Sequence, residues 1–273
     1  MLRVTGLCKE FNGRCALKEI NLEFSQGEFC ILIGNNGSGK STLLKSIAGQ
    51  CQIDAGKIQI SGEDVTKKPL HYRAKFISSV TQDVVRGTIS EMTLLENIVL
   101  SRLRIRKSRL RFYSAHAKYI NELVKDLGIG LERYLHSPLR ELSGGQRQII
   151  ATLMALSSDP QLLLLDEHTS ALDPKMQISL MEYTASKISA HGVTALMITH
   201  NLEDAISYGN RLIMLHRGQI VLDAKGEEKY RLKATELLEL FHHYEDMTLT
   251  YASHASHPPG EAQESRKEQN DPA

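Results

Sequence analysis

Three continuous apolar runs along the chain predict strands that lie buried in the middle of a sheet. The runs are Phe29–Ile33, Leu162–Leu165 and Val193–Thr199. A strand covered on both faces by helices carries such a run rather than an alternating pattern. Each run is short, which favours a strand over a buried helix. The pattern therefore predicts a mostly parallel α/β core.

Segments near the N-terminus alternate between apolar and polar residues and predict half-buried strands. Ile20–Phe24 and Lys57–Ile60 alternate with a period of two, and Val4–Leu7 is a short apolar-rich segment. Asn12-Gly13 and Ser61-Gly62 are turn signals beside these segments. We expect strands joined by tight turns in this region.

Helical patterns interrupt and follow the strands. Thr42–Ala48 reads as a helix that stops at Gly49. Residues 88–157 are rich in Leu, Glu, Lys and Arg and have a mostly helical period, which predicts a helical insert in the core. Arg211–Leu215 and Gln219–Leu222 flank a glycine-containing turn and predict a hairpin.

These elements divide the chain into three predicted parts. Residues 1–225 form the α/β domain, with the helical insert at about 88–157. Residues 226–250 form a C-terminal helical extension, in which Leu232–Phe241 is the clearest helix. Residues 251–273 contain little apolar sequence and should be a disordered tail.

Composition and charge exclude some function classes. The 273 residues carry a formal net charge of +1, with 41% hydrophobic residues, so no global field draws the chain to nucleic acid or to an anionic membrane. No apolar run approaches the ~18–20 residues that span a bilayer, and the first residues lack the apolar core of a signal peptide. We therefore expect a cytosolic protein. The four cysteines form no C-x-x-C pair and should be reduced thiols.

Residues 34–42 predict a phosphate-binding loop. The segment Gly34-Asn35-Asn36-Gly37-Ser38-Gly39-Lys40-Ser41-Thr42 contains the pattern G-x-x-x-x-G-K-[ST] between a buried strand and a helix. Glycines let backbone N–H groups surround a phosphate, and the helix N-terminus adds partial positive charge. Lys40 should reach the β- and γ-phosphates of ATP, and Ser41 should ligate Mg²⁺. The alternative, a glycine-rich turn without a ligand, fits the flanking elements less well.

Two acidic residues follow the second apolar run. Asp166 and Glu167 stand directly after Leu162–Leu165, and the carboxyl end of a buried strand is where α/β sites collect their side chains. Asp166 is suited to hold Mg²⁺ or its water, and Glu167 is suited to polarise an attacking water as a general base. Alternatively, the two acids merely end a strand at the surface.

A second phosphate-seeking helix end is predicted at Ser143-Gly144-Gly145-Gln146. Ser143 and Gln146 have the spacing of a capping box, and the two glycines let a phosphate approach the backbone. Leu142–Gln146 resembles the signature sequence of the ABC transporter family, and with it the chain is similar to the nucleotide-binding subunits of that family. The resemblance implies an α/β fold with a P-loop NTPase core, a mostly parallel sheet, an N-terminal antiparallel β-subdomain and an inserted α-helical subdomain.

The resemblance also implies roles for residues that carry little signal alone. Gln82 matches the glutamine loop, which contacts Mg²⁺ or water, and Asp173, in Ser170–Asp173, matches the loop at the dimer interface. His200 matches the switch histidine, which contacts the γ-phosphate and supports Glu167. Phe11 stands where the family places an aromatic ring that stacks on adenine. Glu167, His200, Lys40 and Gln82 are thereby the catalytic candidates, and Ser41, Gln82 and Asp166 are the metal-ligand candidates.

In this family the signature of one subunit closes on the phosphate loop of another. The resemblance thus implies that Ser143, Gly144, Gly145 and Gln146 bind the nucleotide of a second copy, so that a homodimer is the active unit. It also implies an integral membrane permease, an extracytoplasmic substrate-binding protein and a place at the cytoplasmic face of the bacterial inner membrane. Nucleic acid is not expected as a partner.

Two features depart from the simplest reading of that resemblance. His168 follows Glu167 where most of the family has proline, so the loop should be less rigid; His168 either approaches the nucleotide or the following loop, or is a neutral side chain without such a role. Arg102–Arg111 is a basic cluster that suits a permease-facing or headgroup-facing surface, a solvated face or a nucleic-acid patch.

The sequence from Asp166 to Pro174, and that around His200, resembles one subgroup of bacterial importers, some of them assigned to tryptophan or tyrosine uptake. We therefore expect an ATP-hydrolysing subunit of an importer of a small solute such as an amino acid. The alternatives are a soluble ABC ATPase of the iron–sulfur assembly type and the ATPase of an exporter.

Overall fold

The computed structural model describes residues 1–81, 87–103 and 113–255. Residues 1–234 form one compact unit, and a second unit begins at residue 235. The strands are β1 (Leu2–Phe11), β2 (Arg14–Phe24), β3 (Phe29–Ile33), β4 (Ala55–Ile60), β5 (Glu63–Asp64), β6 (Ile77–Val80), β7 (Leu162–Asp166), β8 (Thr194–Ile198), β9 (Arg211–His216) and β10 (Gln219–Lys225). The α-helices are α1 (Lys40–Ala48), α2 (Leu70–Arg73), α3 (Leu94–Leu103), α4 (Tyr113–Lys125), α5 (Gly144–Ser157), α6 (Pro174–His191), α7 (Leu202–Ser207), α8 (Glu227–Arg231) and α9 (Ala234–Ala255).

Two sheets carry the strands. A six-stranded sheet has the order β10-β9-β3-β8-β7-β6, in which all neighbours pair in parallel except β10 with β9. An antiparallel sheet has the order β2-β1-β4-β5. The predicted fold class, with its mostly parallel core and N-terminal antiparallel subdomain, is confirmed.

The predicted buried strands are β3, β7 and β8. Every residue of β3 and β8 is buried, as are the four leucines of β7. The hairpin predicted near the C-terminal end of the core is β9 with β10. The run Val4–Leu7 is only the middle of β1, because β1 pairs with β2 on one side and β4 on the other. Those ladders add backbone hydrogen bonds that an apolar pattern does not reveal.

The turn between β1 and β2 has the predicted sequence and the conformation that the sequence demands. Asn12 has a φ of 49° and Gly13 a φ of 78°. Two consecutive positive φ values define the tight hairpin turn that matches the twist of its strands, and Asn-Gly adopts it at low cost. This turn places Phe11 directly opposite Arg14.

The helical insert has its own core. Buried residues of α3, α4 and α5 pack with leucines of the short 3₁₀ turns at Leu131–Tyr134 and Leu139–Glu141. The main core lies between the antiparallel sheet, α1 and the six-stranded sheet. Residues 104–112 lie outside the described residues, and with them most of the predicted basic cluster.

The last helix is longer than the sequence suggested. α9 ends at Ala255, beyond the predicted end of the extension at residue 250, because Ala252 and Ala255 favour continuation of a helix that has already begun. Residues 256–273 lie outside the described residues. The predicted boundary between residues 225 and 226 stays a prediction.

The remaining general expectations concern cysteines, metals and membranes. All four cysteines are free thiols, as predicted. The described residues contain no group of three or more His, Cys, Asp or Glu side chains with metal-site geometry. Among those same residues, no helix combines the length and apolar character needed to cross a bilayer.

A buried guanidinium joins the two sheets. Arg211 on β9 is 2% exposed and donates to both carboxylate oxygens of Asp223, at 2.7 and 2.6 Å. It also donates to Glu28 at 2.6 Å and to the carbonyl of Glu23 on β2 at 2.7 Å. Its Cζ lies 4.9 Å from the ring centroid of Phe24. A planar, permanently charged fork can satisfy all of these groups together.

Removal of this guanidinium should destabilise the domain strongly. Arg211→Met removes the buried partner of the partly buried Glu28 carboxylate and of the more exposed Asp223 carboxylate, and we expect a loss of about 3 kcal/mol in the free energy of unfolding, measured by urea denaturation. Arg3→Met is the matched control, because the Arg3–Glu23 pair is exposed and screened by water. Equal losses in the two variants would contradict a special role for Arg211.

Candidate functional site

The candidate site lies at the carboxyl edge of the six-stranded sheet. β3, β8 and β7 are adjacent and parallel, so their carboxyl ends meet at one edge. β3 leads into the loop before Lys40, β7 ends at Asp166, and His200 follows β8. The sheet order thus brings together residues from three distant parts of the chain. Gln82, which is also predicted to be a site residue, lies outside the described residues.

Two glycines let the phosphate-loop backbone lie against neighbouring strands. Gly34 has a φ of 146°, and a Cβ there would stand 2.2 Å from the carbonyl oxygen of Leu215. Gly39 has a φ of 106°, and its Cβ would stand 2.5 Å from the carbonyl oxygen of Ala16. No L side chain fits either position, so the loop needs glycine for steric reasons independent of any ligand. The N–H of Gly218 donates to the Ser38 carbonyl at 2.9 Å and fastens the loop to the β9–β10 turn.

Lys40 folds back over its own loop. Its ammonium donates to the carbonyl oxygens of Gly34 at 2.6 Å and Asn35 at 3.0 Å. Burial lowers the pKa of Lys40, while the charges of Glu167 and Asp166 act in the opposite direction. The Ser38 hydroxyl is buried without a hydrogen-bond partner among the described residues. A desolvated ammonium and an unpaired hydroxyl on one glycine-rich loop fit an anionic phosphate group.

Ser41 and Asp166 present oxygen atoms to one another. The Ser41 hydroxyl donates to an Asp166 carboxylate oxygen at 3.3 Å. Burial raises the pKa of Asp166, an effect that Glu167 adds to and the Ser41 hydrogen bond opposes. A hydroxyl beside a desolvated carboxylate is the kind of all-oxygen donor set that Mg²⁺ accepts, usually together with phosphate oxygens and water. The residues therefore fit Mg²⁺ bound beside the phosphate loop.

Glu167 stands in an unusual backbone conformation next to His200. Its φ is 48°, and its N–H donates to the carbonyl of Ile198 on β8 at 3.2 Å. A carboxylate oxygen of Glu167 lies 3.9 Å from Nδ1 of His200. A left-handed conformation at a non-glycine residue is uncommon and is concentrated at functional sites. The predicted base and the predicted switch histidine are thus neighbours.

The predicted capping box at the start of α5 is present. Ser143 Oγ accepts a hydrogen bond from the Gln146 N–H at 3.2 Å, and Gln146 Oε1 accepts from the Ser143 N–H at 2.9 Å. A Cβ on Gly145 would lie 3.1 Å from Leu172 Cδ2, while Gly144 faces open space. Neither the capping hydrogen bonds nor the close approach of Leu172 to Gly145 reaches the phosphate loop.

Asp173 has a role that motif matching did not predict. Its carboxylate accepts the N–H of Met176 at 3.0 Å, and Pro174 occupies the first helical position. Asp173 is therefore the N-cap of α6. The Asp-Pro pair in the sequence was a signal for this cap, and it does not exclude a further role at a dimer interface.

Phe11 borders an open cavity of about 560 Å³ beside the phosphate loop. Its ring is 48% exposed, and the Lys9 ammonium lies 5.0 Å from the ring centroid. The cavity is lined by Phe11, Asn12, Arg14, Cys15, Ala16 and Gly37. Arg14 and Cys15 were not predicted to lie here. The Asn12-Gly13 turn could have identified Arg14, because a two-residue hairpin places it opposite Phe11.

His168 is buried rather than exposed in a loose loop. It is 1% exposed, and its Nε2 has no hydrogen-bond partner among the described residues. Burial lowers the pKa of His168 to about 4, so the imidazole is neutral at pH 7. A contact of His168 with the nucleotide or the following loop, and a side chain without such a role, both stay predictions.

Comparisons with known proteins agree with the geometry. A sequence model of the family described as ABC transporter matches residues 17–170. The tyrosine transport ATP-binding protein of Clostridioides difficile (strain R20291) is 37% identical over 247 residues, which cover 88% of this chain and 98% of that protein. The sulfate/thiosulfate import ATP-binding protein of Nocardia farcinica (strain IFM 10152) is 36% identical over 242 residues, or 88% of this chain and 70% of that protein.

A solved structure is also similar. It is a dimeric ATP-binding cassette in a post-hydrolysis state, bound to ADP and Pi. The TM-score is 0.73 and the identity 27%, and the match covers 85% of this chain and all of the other.

The buried imidazole of His168 should make folding sensitive to acid. Its pKa is about 4 in the folded chain against 6.5 when exposed, so the unfolded chain binds the proton more tightly. The stability that a neutral His168 contributes is complete above pH 6.5 and is lost as the pH falls towards 4, by on the order of 3 kcal/mol. His168→Leu should have a flatter pH dependence of unfolding free energy than the wild type in urea titrations at pH 4 to 7. Parallel curves would contradict this prediction.

Proposed function

Because this chain is an ATPase that belongs to the ABC transporter family, we propose that it powers import of a small solute, such as an amino acid, through an integral membrane permease. The observation that carries the ATP-hydrolysing part of the proposal is the convergence of Lys40, Ser41, Asp166, Glu167 and His200 at one edge of the parallel sheet. Such an edge is where this fold class performs its chemistry. We infer from it how the residues divide the work.

The phosphate loop binds and orients ATP. Residues 34–42 direct backbone N–H groups at the β-phosphate, and the amino end of α1 favours negative charge there. Lys40 releases its loop carbonyls and donates to the β- and γ-phosphates. Ser41 and Asp166, with Gln82, would hold Mg²⁺. When bound, Mg²⁺ neutralises charge that develops on the phosphate oxygens.

Glu167 and His200 act on the hydrolytic water and the γ-phosphate. Glu167 holds the attacking water and accepts its proton as the general base. His200 contacts the γ-phosphate and keeps the Glu167 carboxylate oriented, a role supported by their 3.9 Å separation. Chemistry at such a site is largely positioning and charge neutralisation, because the phosphoryl group needs little covalent assistance.

A second copy of the chain completes the site. We propose that Ser143, Gly144, Gly145 and Gln146 of one subunit bind the γ-phosphate held by the other, and that Asp173 lies at the interface between the two. The capped amino end of α5 and the open space at Gly144 support this arrangement. The dimeric state named for the similar structure supports it as well. Phe11 stacks on the adenine of the subunit that contributes the phosphate loop.

The importer assignment is supported by the names of the relatives. They describe a tyrosine transporter and a sulfate/thiosulfate importer, so we propose an importer with an extracytoplasmic substrate-binding protein and a permease at the bacterial inner membrane. The chain would sit at its cytoplasmic face. The competing assignments are a soluble ATPase of the iron–sulfur assembly type and an exporter ATPase.

Glu167→Gln tests the assignment of the general base. The amide cannot accept the proton of the attacking water, so we expect kcat to fall by 10²–10⁴-fold while ATP binding persists. ATP should then trap a closed dimer of the variant, which size-exclusion chromatography with MgATP would detect. Hydrolysis at a near wild-type rate would remove Glu167 as the base.

Lys40→Ala is the contrasting variant for that experiment. It removes the phosphate-binding ammonium, so ATP binding itself should weaken, and no ATP-dependent dimer should form. A fluorescent ATP analogue measures the difference between the two variants. Equal affinity of Lys40→Ala and wild type for the analogue would contradict the role given to Lys40.

Purification from membranes tests the assignment to an importer. The chain, tagged and expressed with its neighbouring genes, should co-purify in detergent with an integral membrane permease. Recovery with soluble partners alone would contradict the transporter assignment and favour the iron–sulfur assembly type. A gene for an extracytoplasmic binding protein beside this one would separate import from export.

A further inference from the structure

A side-chain hydrogen bond connects two helices that begin at different site motifs. Gln177 Nε2 on α6 donates to a carboxylate oxygen of Asp204 on α7 at 3.1 Å, in a partly buried position. α6 starts at its N-cap Asp173, and α7 starts just after His200. The bond therefore joins the helix of the candidate interface loop to the helix of the candidate switch histidine.

The start of α7 is tied closely to His200. Asn201 is the N-cap, and its side-chain oxygen accepts the N–H groups of Glu203 at 2.9 Å and Asp204 at 3.3 Å. The Asn201 N–H in turn donates to the Thr199 hydroxyl at 3.0 Å. His200 directly precedes Asn201, the N-cap of α7. A rotation of α7 would therefore move the His200 imidazole with it.

Asp204 also lies close enough to His200 to interact with it. Burial raises the pKa of Asp204, whereas the Gln177 hydrogen bond and the charge of His200 act in the opposite direction. Nδ1 of His200 thus lies 3.9 Å from a Glu167 carboxylate oxygen, and the Asp204 carboxylate on α7 also interacts electrostatically with His200. A half-buried carboxylate needs a donor, and Gln177 supplies it.

The α6 side of the bond is equally well anchored. The Gln177 N–H donates to the Asp173 carbonyl at 2.9 Å, so Gln177 belongs to the first turn of α6. Before that turn, Leu172 lies close to Gly145 at the start of α5: a Cβ added to Gly145 would lie 3.1 Å from Leu172 Cδ2. A shift of this loop would move Gln177 and, through the bond, Asp204.

We propose that Gln177 and Asp204 are positioning residues for ATP hydrolysis, whose hydrogen bond holds His200 in place and transmits the position of the Ser170–Asp173 loop to it. The inference rests on the proposed role of His200 at the γ-phosphate. Neither residue touches the nucleotide. Both act on the rate of hydrolysis after ATP has bound.

Gln177→Leu tests the bond without creating a new charge. It removes the donor while keeping a side chain of similar size, so kcat should fall by about tenfold, within the range that misplacement of a catalytic group produces. KM, and the affinity for a fluorescent ATP analogue, should stay within about twofold of the wild type. Asp204→Ala should lower kcat at least as much, because it removes both the hydrogen bond and the charge that interacts with His200, and the double variant should lose no more than Asp204→Ala alone.

Rescue by a chemically matched variant separates positioning from a general effect on folding. Gln177→Arg can donate to the same carboxylate as an ion pair, so its kcat should return to within about twofold of the wild type. Glu203→Gln is the charge control: it removes one carboxylate from the exposed side of α7 and should leave kcat unchanged. Thermal unfolding of each variant shows whether it is folded.

Three outcomes would overturn the inference: wild-type kcat in Gln177→Leu, a KM that rises in parallel with the loss of kcat, or failure of Gln177→Arg to recover activity in a folded protein. The variant His200→Ala distinguishes this failure from failure of the proposed function. If His200→Ala loses hydrolysis while Gln177→Leu does not, only the positioning role is wrong. If His200→Ala retains the wild-type rate, the proposed role of His200 is wrong and the inference falls with it.

Discussion

The parallel hydrogen bonding of β3, β8 and β7 is the constraint on which the rest of the site depends. Parallel neighbours must end at the same edge, so the phosphate loop, the acidic pair and His200 meet although more than 150 residues separate Lys40 from His200. The three strands are buried on both faces, and the resulting rigidity fixes where each one ends. The apolar packing of the three strands therefore fixes the positions of the polar groups that follow them.

The second constraint is the close approach of backbone to backbone around the phosphate loop. Gly34 lies against the end of β9, and Gly39 lies against β2. Ser38 is tied to the β9–β10 turn by the N–H of Gly218. The loop is thus shaped by both sheets before any ligand binds, which lowers the cost of ordering it around a phosphate. Its desolvated lysine donates to two loop carbonyls and can exchange those partners for an anion.

The site is also connected to the helical insert through the loop between β7 and α6. That loop begins at Glu167, continues past the buried His168, contacts Gly145 of the signature helix and ends at the Asp173 cap. Gln177 and Asp204 extend the connection to α7. Glu167, His200 and α5 are therefore linked through this loop, and the proposed coupling predicts that a displacement of one affects the other two.

The sequence alone determined the buried strands, the Asn12-Gly13 turn, the capping box and the phosphate loop, because each depends on residues close together in the chain. The fold class followed from the order of these segments together with the resemblance to the ABC transporter family. Apolar runs, turn dipeptides and caps act locally, so their patterns can be read without knowing the neighbours. The full extent of β1, the burial of His168 and the bond between Gln177 and Asp204 came only from the tertiary structure. Each of these depends on which strand or helix packs alongside, and no local pattern encodes the identity of that neighbour.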